Sequence, residues 1–301
     1  MKYVATVIAK GDTLNQQVIS QIQTDLTKHF EIKDVSIKSI DNKASDIFFS
    51  IEYSSVNVKD TFQKAHIFDQ YNNQDINLII QPDNEHRFKK LVVFDMDSTL
   101  IYQEVIELIA SYAGVEPQVK AITDLAMNNE IDFKESLSKR VGLLKGLKID
   151  TLYAVIKKQL KITNGVAELS QLLREKNVKL AVVSGGFIQF AEYVKNELKF
   201  DFALANELEM DGKTGELTGN LINKDSIVDG ECKAKTIKQL CDEYKIDIQD
   251  SLMIGDGGND LLGMKTAGFG IAWNAKPTVQ IQAPSRLNSS SMYDVRYILG
   301  L

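Results

Sequence analysis

The sequence predicts an α/β protein in which a parallel-sheet domain carries a helical insertion and follows a small α+β unit. Three observations predict it. Short continuous apolar runs at 91–94, 179–183, 251–254 and 269–272 read as strands buried on both faces. Helical stretches separate them, and residues 104 to about 173 show hardly any strand pattern. Ahead of them, roughly the first 80 residues alternate in strand period around helical segments, in the order β-α-β-β-α-β, the split βαβ pattern of ferredoxin-like folds.

In the N-terminal unit, residues 3–9 read as a strand. Residues 16–30 read as a helix, with Val18, Ile19, Ile22 and Leu26 at helical spacing. Alternation at 35–40 and 47–53 gives two strands around a turn at Asp41-Asn42-Lys43. A second helix is expected at 58–71 and a short strand at 76–80. The polar, proline-containing stretch 81–85 is a linker, which puts the division at 1–84 and 85–301. Helices are expected at 187–198 and 233–244, and a β-hairpin excursion over 202–222, where Asp211-Gly212-Lys213 and Thr218-Gly219-Asn220 form turns. Strands alternating with helices imply right-handed crossovers, with ligands at the carboxyl ends of the strands.

With 301 residues, 44% of them hydrophobic, the chain can bury sizeable cores, and its net charge of −6 offers no basic footprint for nucleic acid. No apolar run approaches the roughly 18 residues of a membrane helix, and the N-terminal run is too short for a signal peptide. The two cysteines, Cys232 and Cys241, give no disulfide framework. A cytoplasmic protein is the expectation.

The chemistry-bearing residues stand at the strand ends. Asp95 and Asp97, two apart after the first apolar run, face one way in an extended segment. Such a pair serves equally as a cation site with divided acid–base roles or as a turn and helix cap. Ser184-Gly185-Gly186 is either an anion-binding strand end or a tight turn. Lys233, at a helix start, can hold a phosphoryl oxygen, although a lone lysine is more often solvated surface. Asp256, Asn259 and Asp260 lie among three glycines after the third buried run and suit a metal site brought close to backbone. Rival motifs fail: Gly212-Lys213-Thr214 has Glu207 where a P-loop needs glycine, and Asp260 occupies the third glycine position of a dinucleotide fingerprint. His29, His66 and His86 have no zinc spacing.

Taken in order, these clusters resemble the haloacid dehalogenase superfamily over about residues 88–301, and within it the phosphoserine phosphatase family. Residues 94–101 with Glu104 are similar to its first motif, 183–187 to its second, 233–236 to its third and 254–260 to its fourth, where Gly258 replaces a frequent alanine. The resemblance implies a Rossmann-like core at 88–103 and 174–301 with an inserted helical cap at about 104–173. It implies Mg²⁺-dependent hydrolysis of O-phospho-L-serine through an aspartyl-phosphate, the last step of L-serine biosynthesis. By position, Asp95 is the nucleophile and a Mg²⁺ ligand, and Asp97 is the general acid/base and a ligand through its carbonyl. Asp256 is the third ligand. Ser184, Gly185, Lys233 and Asn259 meet the phosphate, with Asp260 in support. Glu104 pairs with the substrate ammonium and Arg140 with its carboxylate, while Met127 and Phe133 line the apolar side. The N-terminal element order resembles the ACT domains, which implies amino-acid sensing or a homodimer contact. The alternatives are another small phosphomonoester, an acceptor other than water, or a non-catalytic amino-acid sensor. The intact set of Asp95, Asp97, Lys233 and Asp256 speaks against the sensor.

Overall fold

The computed structural model of the chain describes residues 1–30, 32–51, 71, 75–127, 130–222 and 226–301. The helix expected at 58–71 lies outside them except for Tyr71. The N-terminal unit contains β1 (Lys2–Ala9), α1 (Gln16–His29), β2 (Ile32–Ser39), β3 (Ala44–Ile51) and β4 (Ile76–Pro82). Its strands pair antiparallel in the order β2-β3-β1-β4, consistent with a ferredoxin-like unit. Period-two alternation sorts β1: Tyr3, Ala5 and Val7 pack with Ile19, Ile22 and Leu26 of α1, whereas Ile8 joins the large core of the second domain. The Asn15 side chain starts α1 by accepting the Gln17 N–H at 2.9 Å.

The rest of the chain runs β5 (Leu91–Phe94), α2 (Val105–Ala113), α3 (Glu116–Met127), α4 (Phe133–Gly142), α5 (Asp150–Lys157), α6 (Val166–Glu175), β6 (Lys179–Phe187) and α7 (Ile188–Leu198). It continues through β7 (Phe202–Asn206), β8 (Leu208–Met210), β9 (Leu217–Leu221), α8 (Gly230–Tyr244), β10 (Ser251–Gly255), α9 (Leu261–Thr266), β11 (Phe269–Trp273), α10 (Pro277–Gln282), β12 (Arg286–Leu287) and α11 (Val295–Ile298). Six of these strands form one parallel sheet in the order β12-β11-β10-β5-β6-β7. The four residues of β5 are fully buried. Leu91 and Val93 meet Ile237 and Leu240 of α8, and Val92 and Phe94 share the core of α6 and α7. Burial of each such side chain contributes about 1.5–3 kcal/mol, which explains the unbroken apolar runs of the central strands.

Two strands depart from the sequence expectation. The segment at 202–222 is not a hairpin throughout. Its first part, β7, joins the parallel sheet at the edge, and only β8 and β9 form an antiparallel pair. An edge strand is half covered, and Phe202, Ala203, Leu204 and Ala205 of β7 are only partly buried. The other edge strand, β12, has two residues and no pattern to read.

Helices α2 to α5 lie outside the sheet, on linkers that pair with each other. Ile101 and Ile162 form an antiparallel bridge, the Tyr102 N–H bonds to the Lys161 carbonyl at 3.1 Å, and the Thr163 N–H bonds to the Leu100 carbonyl at 2.9 Å. The N-terminal sheet is tied to the second domain by polar contacts. Asn77 and the backbone of Asn288 exchange two hydrogen bonds of 2.9 and 2.8 Å. Arg87 reaches Asp46 at 2.8 Å and the Tyr297 carbonyl at 3.1 Å. No described helix is long and apolar enough to cross a membrane.

Candidate active site

The predicted clusters meet at the carboxyl ends of β5, β6 and β10 and in the first turn of α8. After β5 the chain makes one wide turn, Met96–Leu100, closed by the Ile101 N–H on the Met96 carbonyl at 3.1 Å. Within it Ser98 takes the left-handed conformation at φ 54°, which costs a non-glycine residue about 1–2 kcal/mol. Its hydroxyl donates to Glu104 Oε1 at 2.7 Å, so the turn places Glu104 beside the strand end.

Asp95 is 6% exposed. Its Oδ1 accepts the Met96 N–H at 2.8 Å and the Lys233 ammonium at 3.0 Å. Lys233 is fully buried and donates also to Asp260 Oδ1 at 2.5 Å. Asp260 Oδ2 in turn accepts the Gly257 N–H at 3.0 Å. Burial works to lower the proton affinity of Lys233, but Asp260 and Asp95 outweigh it, and the lysine is held as a cation. Burial and then Asp95 push Asp260 up to about 7, against the pull of Lys233.

Asp97 faces elsewhere. Its Oδ1 accepts the Val105 N–H at 3.3 Å, and its Oδ2 lies 2.6 Å from where a Cβ on Gly186 would stand. Glycine at 186 is therefore what lets Asp97 reach the end of β6. Burial, followed by Glu104 and Asp95, raises Asp97 well above the usual carboxylate range. The turn thus carries one carboxylate paired with a lysine and one carboxyl whose surroundings disfavour its ionised form.

Asp256 Oδ1 accepts the Thr99 hydroxyl at 2.9 Å, and burial with Asp95, Asp260 and Glu104 raises its proton affinity strongly. Oxygens of Asp95, Asp256 and Asp260 lie within 4.8 Å of one another. Burial raises Glu104 as well and lowers Arg140, and each of these two acts on the other's charge. Five acids thus face two buried cations, and an all-oxygen donor set with excess negative charge fits a hard divalent cation. Both Asp260 oxygens are already engaged, which leaves it a supporting place in the cluster.

The other predicted residues divide. Ser184 is buried, and its Oγ accepts the Gly186 N–H at 2.9 Å. The ring of Phe133 comes within 2.6 Å of where a Cβ on Gly185 would stand, so the insertion touches the core there. Arg140 lies on the buried face of α4, two turns beyond Phe133, and bonds to the Ser136 carbonyl at 3.4 Å. Asn259 sits beside the start of α8, its carbonyl 3.1 Å from the Cβ position of Gly230. A Cβ on Gly258 would meet nothing within 4 Å, so the exchange with alanine is sterically free. Met127 ends α3, and its side chain lies outside the described part.

Sequence reasoning missed Asn206, which is buried at the end of β7. Its amide donates to the Gly185 carbonyl at 2.8 Å and accepts the Val228 N–H at 2.9 Å, joining the β6 end to the segment before α8. It stands in the stretch read as a hairpin, where an asparagine is an ordinary turn residue and gives no signal of this role.

The haloacid dehalogenase-like hydrolase family matches residues 89–268. The chain is 55% identical to the phosphoserine phosphatase of Saccharomyces cerevisiae over 99% of this chain and 96% of that one. A solved structure described as a phospho-aspartyl intermediate analogue of phosphoserine phosphatase is 36% identical. It covers 69% of this chain and 97% of its own, with a TM-score of 0.64. A haloacid dehalogenase family hydrolase of Salmonella enterica serovar Typhi, at 24% identity and TM-score 0.79, shares the fold over 99% of both chains. The chain belongs to the phosphoserine phosphatase family of the haloacid dehalogenase-like hydrolases.

Proposed function

We propose that this chain hydrolyses O-phospho-L-serine to L-serine and phosphate, with Asp95 as nucleophile, Asp97 as general acid and base, and Mg²⁺ as cofactor. The observation that carries it is the meeting, at one strand end, of a carboxylate paired with a fully buried lysine and a second carboxyl whose proton affinity burial and the neighbouring acids raise. The names of the relatives support the substrate.

In this reading an Asp95 oxygen attacks phosphorus as the bond to the seryl oxygen breaks, and the Asp97 proton passes to that oxygen. Asp97, now ionised, takes a proton from a water whose oxygen attacks the aspartyl-phosphate. The bond to Asp95 breaks, and both residues return to their starting states. Lys233, the Ser184 hydroxyl and the Gly185 N–H hold the phosphoryl oxygens, and Asn259 assists. Asp95 and Asp256, with the Asp97 carbonyl, would hold Mg²⁺, which when bound supplies positive charge to the phosphoryl group. Arg140 takes the substrate carboxylate, Glu104 its ammonium, and Phe133 and Met127 its apolar side. The same reading carries an ACT-like role for residues 1–84 (dimerisation or amino-acid sensing) and a cytoplasmic setting.

The test is phosphate release from O-phospho-L-serine with and without Mg²⁺, for wild type and Asp95→Asn, against O-phospho-L-threonine and an aryl phosphate. Mg²⁺-dependent preference for phosphoserine, lost in Asp95→Asn, is expected. Turnover of the aryl phosphate alone would remove the substrate and keep the mechanism. No turnover of any ester would favour the sensor.

A further inference from the structure

The chain on both sides of Ser98 is tied down. Asp97 before it accepts the Val105 N–H at 3.3 Å, and Thr99 after it donates to Asp256 Oδ1 at 2.9 Å. The Ser98 N–H itself bonds to the Gln103 carbonyl at 3.2 Å. Gln103 is fixed in turn by the returning linker. Its amide donates to the Gln159 carbonyl at 3.0 Å, and its Oε1 accepts the Lys161 N–H at 3.0 Å. These bonds hold Ser98 in the left-handed conformation, at φ 54° and ψ 3°. A strained residue persists where its surroundings over-determine it in this way, and such residues gather at functional sites.

Glycine would take this backbone without steric cost, and none of these bonds uses the Ser98 side chain. What serine adds is its hydroxyl, donated to Glu104 Oε1 at 2.7 Å. Among the described residues this is the one hydrogen bond to the Glu104 carboxylate, and it leaves Oε2 open. Burial raises the proton affinity of Glu104, and Asp95 and Glu107 add to the rise. The Ser98 hydroxyl is the strongest influence in the other direction, ahead of Arg140. One side chain therefore both orients the carboxylate and favours its charged form.

We propose that Ser98 is a positioning residue for substrate selection, its strained backbone and hydroxyl aiming Glu104 so that Oε2 meets the ammonium of an amino-acid phosphate ester. The proposal rests on the reading of this site as that of a phosphoserine phosphatase, and adds to it the reason for a serine at a left-handed position. Ser98 acts through Glu104 and leaves the phosphoryl contacts alone.

The experiment compares the full chain as wild type, Ser98→Ala and Ser98→Gly. Alanine loses the hydroxyl and keeps the strain, whereas glycine loses both. In urea denaturation with EDTA, Ser98→Gly should be the more stable of the two variants. In phosphate release with Mg²⁺, both should lose kcat/KM for O-phospho-L-serine alike, by about tenfold or more, the effect of one hydrogen bond to a charged group, and mainly as a higher KM. Inhibition by inorganic phosphate, which carries no ammonium, should keep its wild-type constant in both. Activity that follows stability, with Ser98→Gly close to wild type, would make the hydroxyl merely structural and overturn the proposal. Equal weakening of phosphoserine and inorganic phosphate would also overturn it. A wild type that hydrolyses other esters but not O-phospho-L-serine removes the functional reading and the proposal with it. A wild type active on O-phospho-L-serine, with both variants unimpaired, removes the proposal alone.

Discussion

Replacing Lys233 by methionine keeps most of its volume and removes the single cation between Asp95 and Asp260. The lysine is 0% exposed and lies 3.0 and 2.5 Å from the two carboxylates. At an effective dielectric constant of about 20, each contact carries attraction of about 6 kcal/mol. Most of this offsets the cost of desolvating the three charges, so the measurable quantity is the penalty for stranding the acids, about 3–5 kcal/mol. For a domain of this size that corresponds to a fall in Tm of roughly 10 °C. Adding Asp260→Asn removes one stranded charge and retains an oxygen for the Gly257 N–H, so Lys233→Met/Asp260→Asn should regain about 1–3 kcal/mol. Turnover should stay depressed by about 10²–10³-fold or more in both, because the phosphoryl contact is gone. The pH dependence follows from Asp260. Its folded value of about 7 lies above the unfolded 3.8, so the folded state holds the extra proton and stability falls as pH rises between them. Without Lys233 that value moves higher, and the penalty of Lys233→Met should be smaller at pH 5 than at pH 8. Urea denaturation in EDTA at the two pH values measures the stability changes, and phosphate release with Mg²⁺ measures the turnover. A single variant within about 1 kcal/mol of wild type, or a double variant less stable than the single, would refute the argument.

Three further outcomes are expected. Gly185→Ala sets a methyl 2.6 Å from the Phe133 ring, and displacing the ring should lower kcat/KM for phosphoserine about tenfold or more with Tm little changed, an idea sunk by wild-type kinetics. Mg²⁺ affinity should rise with pH and binding should release protons, because burial and the neighbouring acids raise the proton affinity of Asp256. Titration calorimetry in two buffers checks this, and a pH-independent affinity contradicts it. Asp250 is buried, which raises its proton affinity, but hydrogen bonds from Lys90 and His86 win and leave it below the usual range. It therefore stabilises above about pH 4 and loses that contribution as pH falls further. Asp250→Asn should cost about 1–3 kcal/mol at pH 7 and progressively less below pH 4, and a constant difference would count against the assignment.

Much of the site was legible in the chain because its chemistry is local. Asp95 and Asp97, Ser184 and Gly185, and Asp256 and Asp260 each sit within a few residues of a continuous apolar run, and a buried parallel strand delivers whatever follows it to the same edge of the sheet. The fully covered strands β5 and β10 were readable for the same reason. The half-covered β7 and the two-residue β12 were not, since edge positions impose no unbroken apolar pattern.

Long-range contacts decided the rest. Lys233 reads as an ordinary surface lysine until the fold closes α8 over two carboxylates and removes it from water. Asp97 and Asp256 are ordinary acids in sequence, and their proton affinity rises only where burial and three converging carboxylates raise the cost of ionising each of them. Asn206 gains a role only when β7 is laid beside β6. Proximity between residues far apart in the chain, and the low polarisability of a closed interior, exist only after folding, whereas strand ends and helix starts are written in the local order of residues.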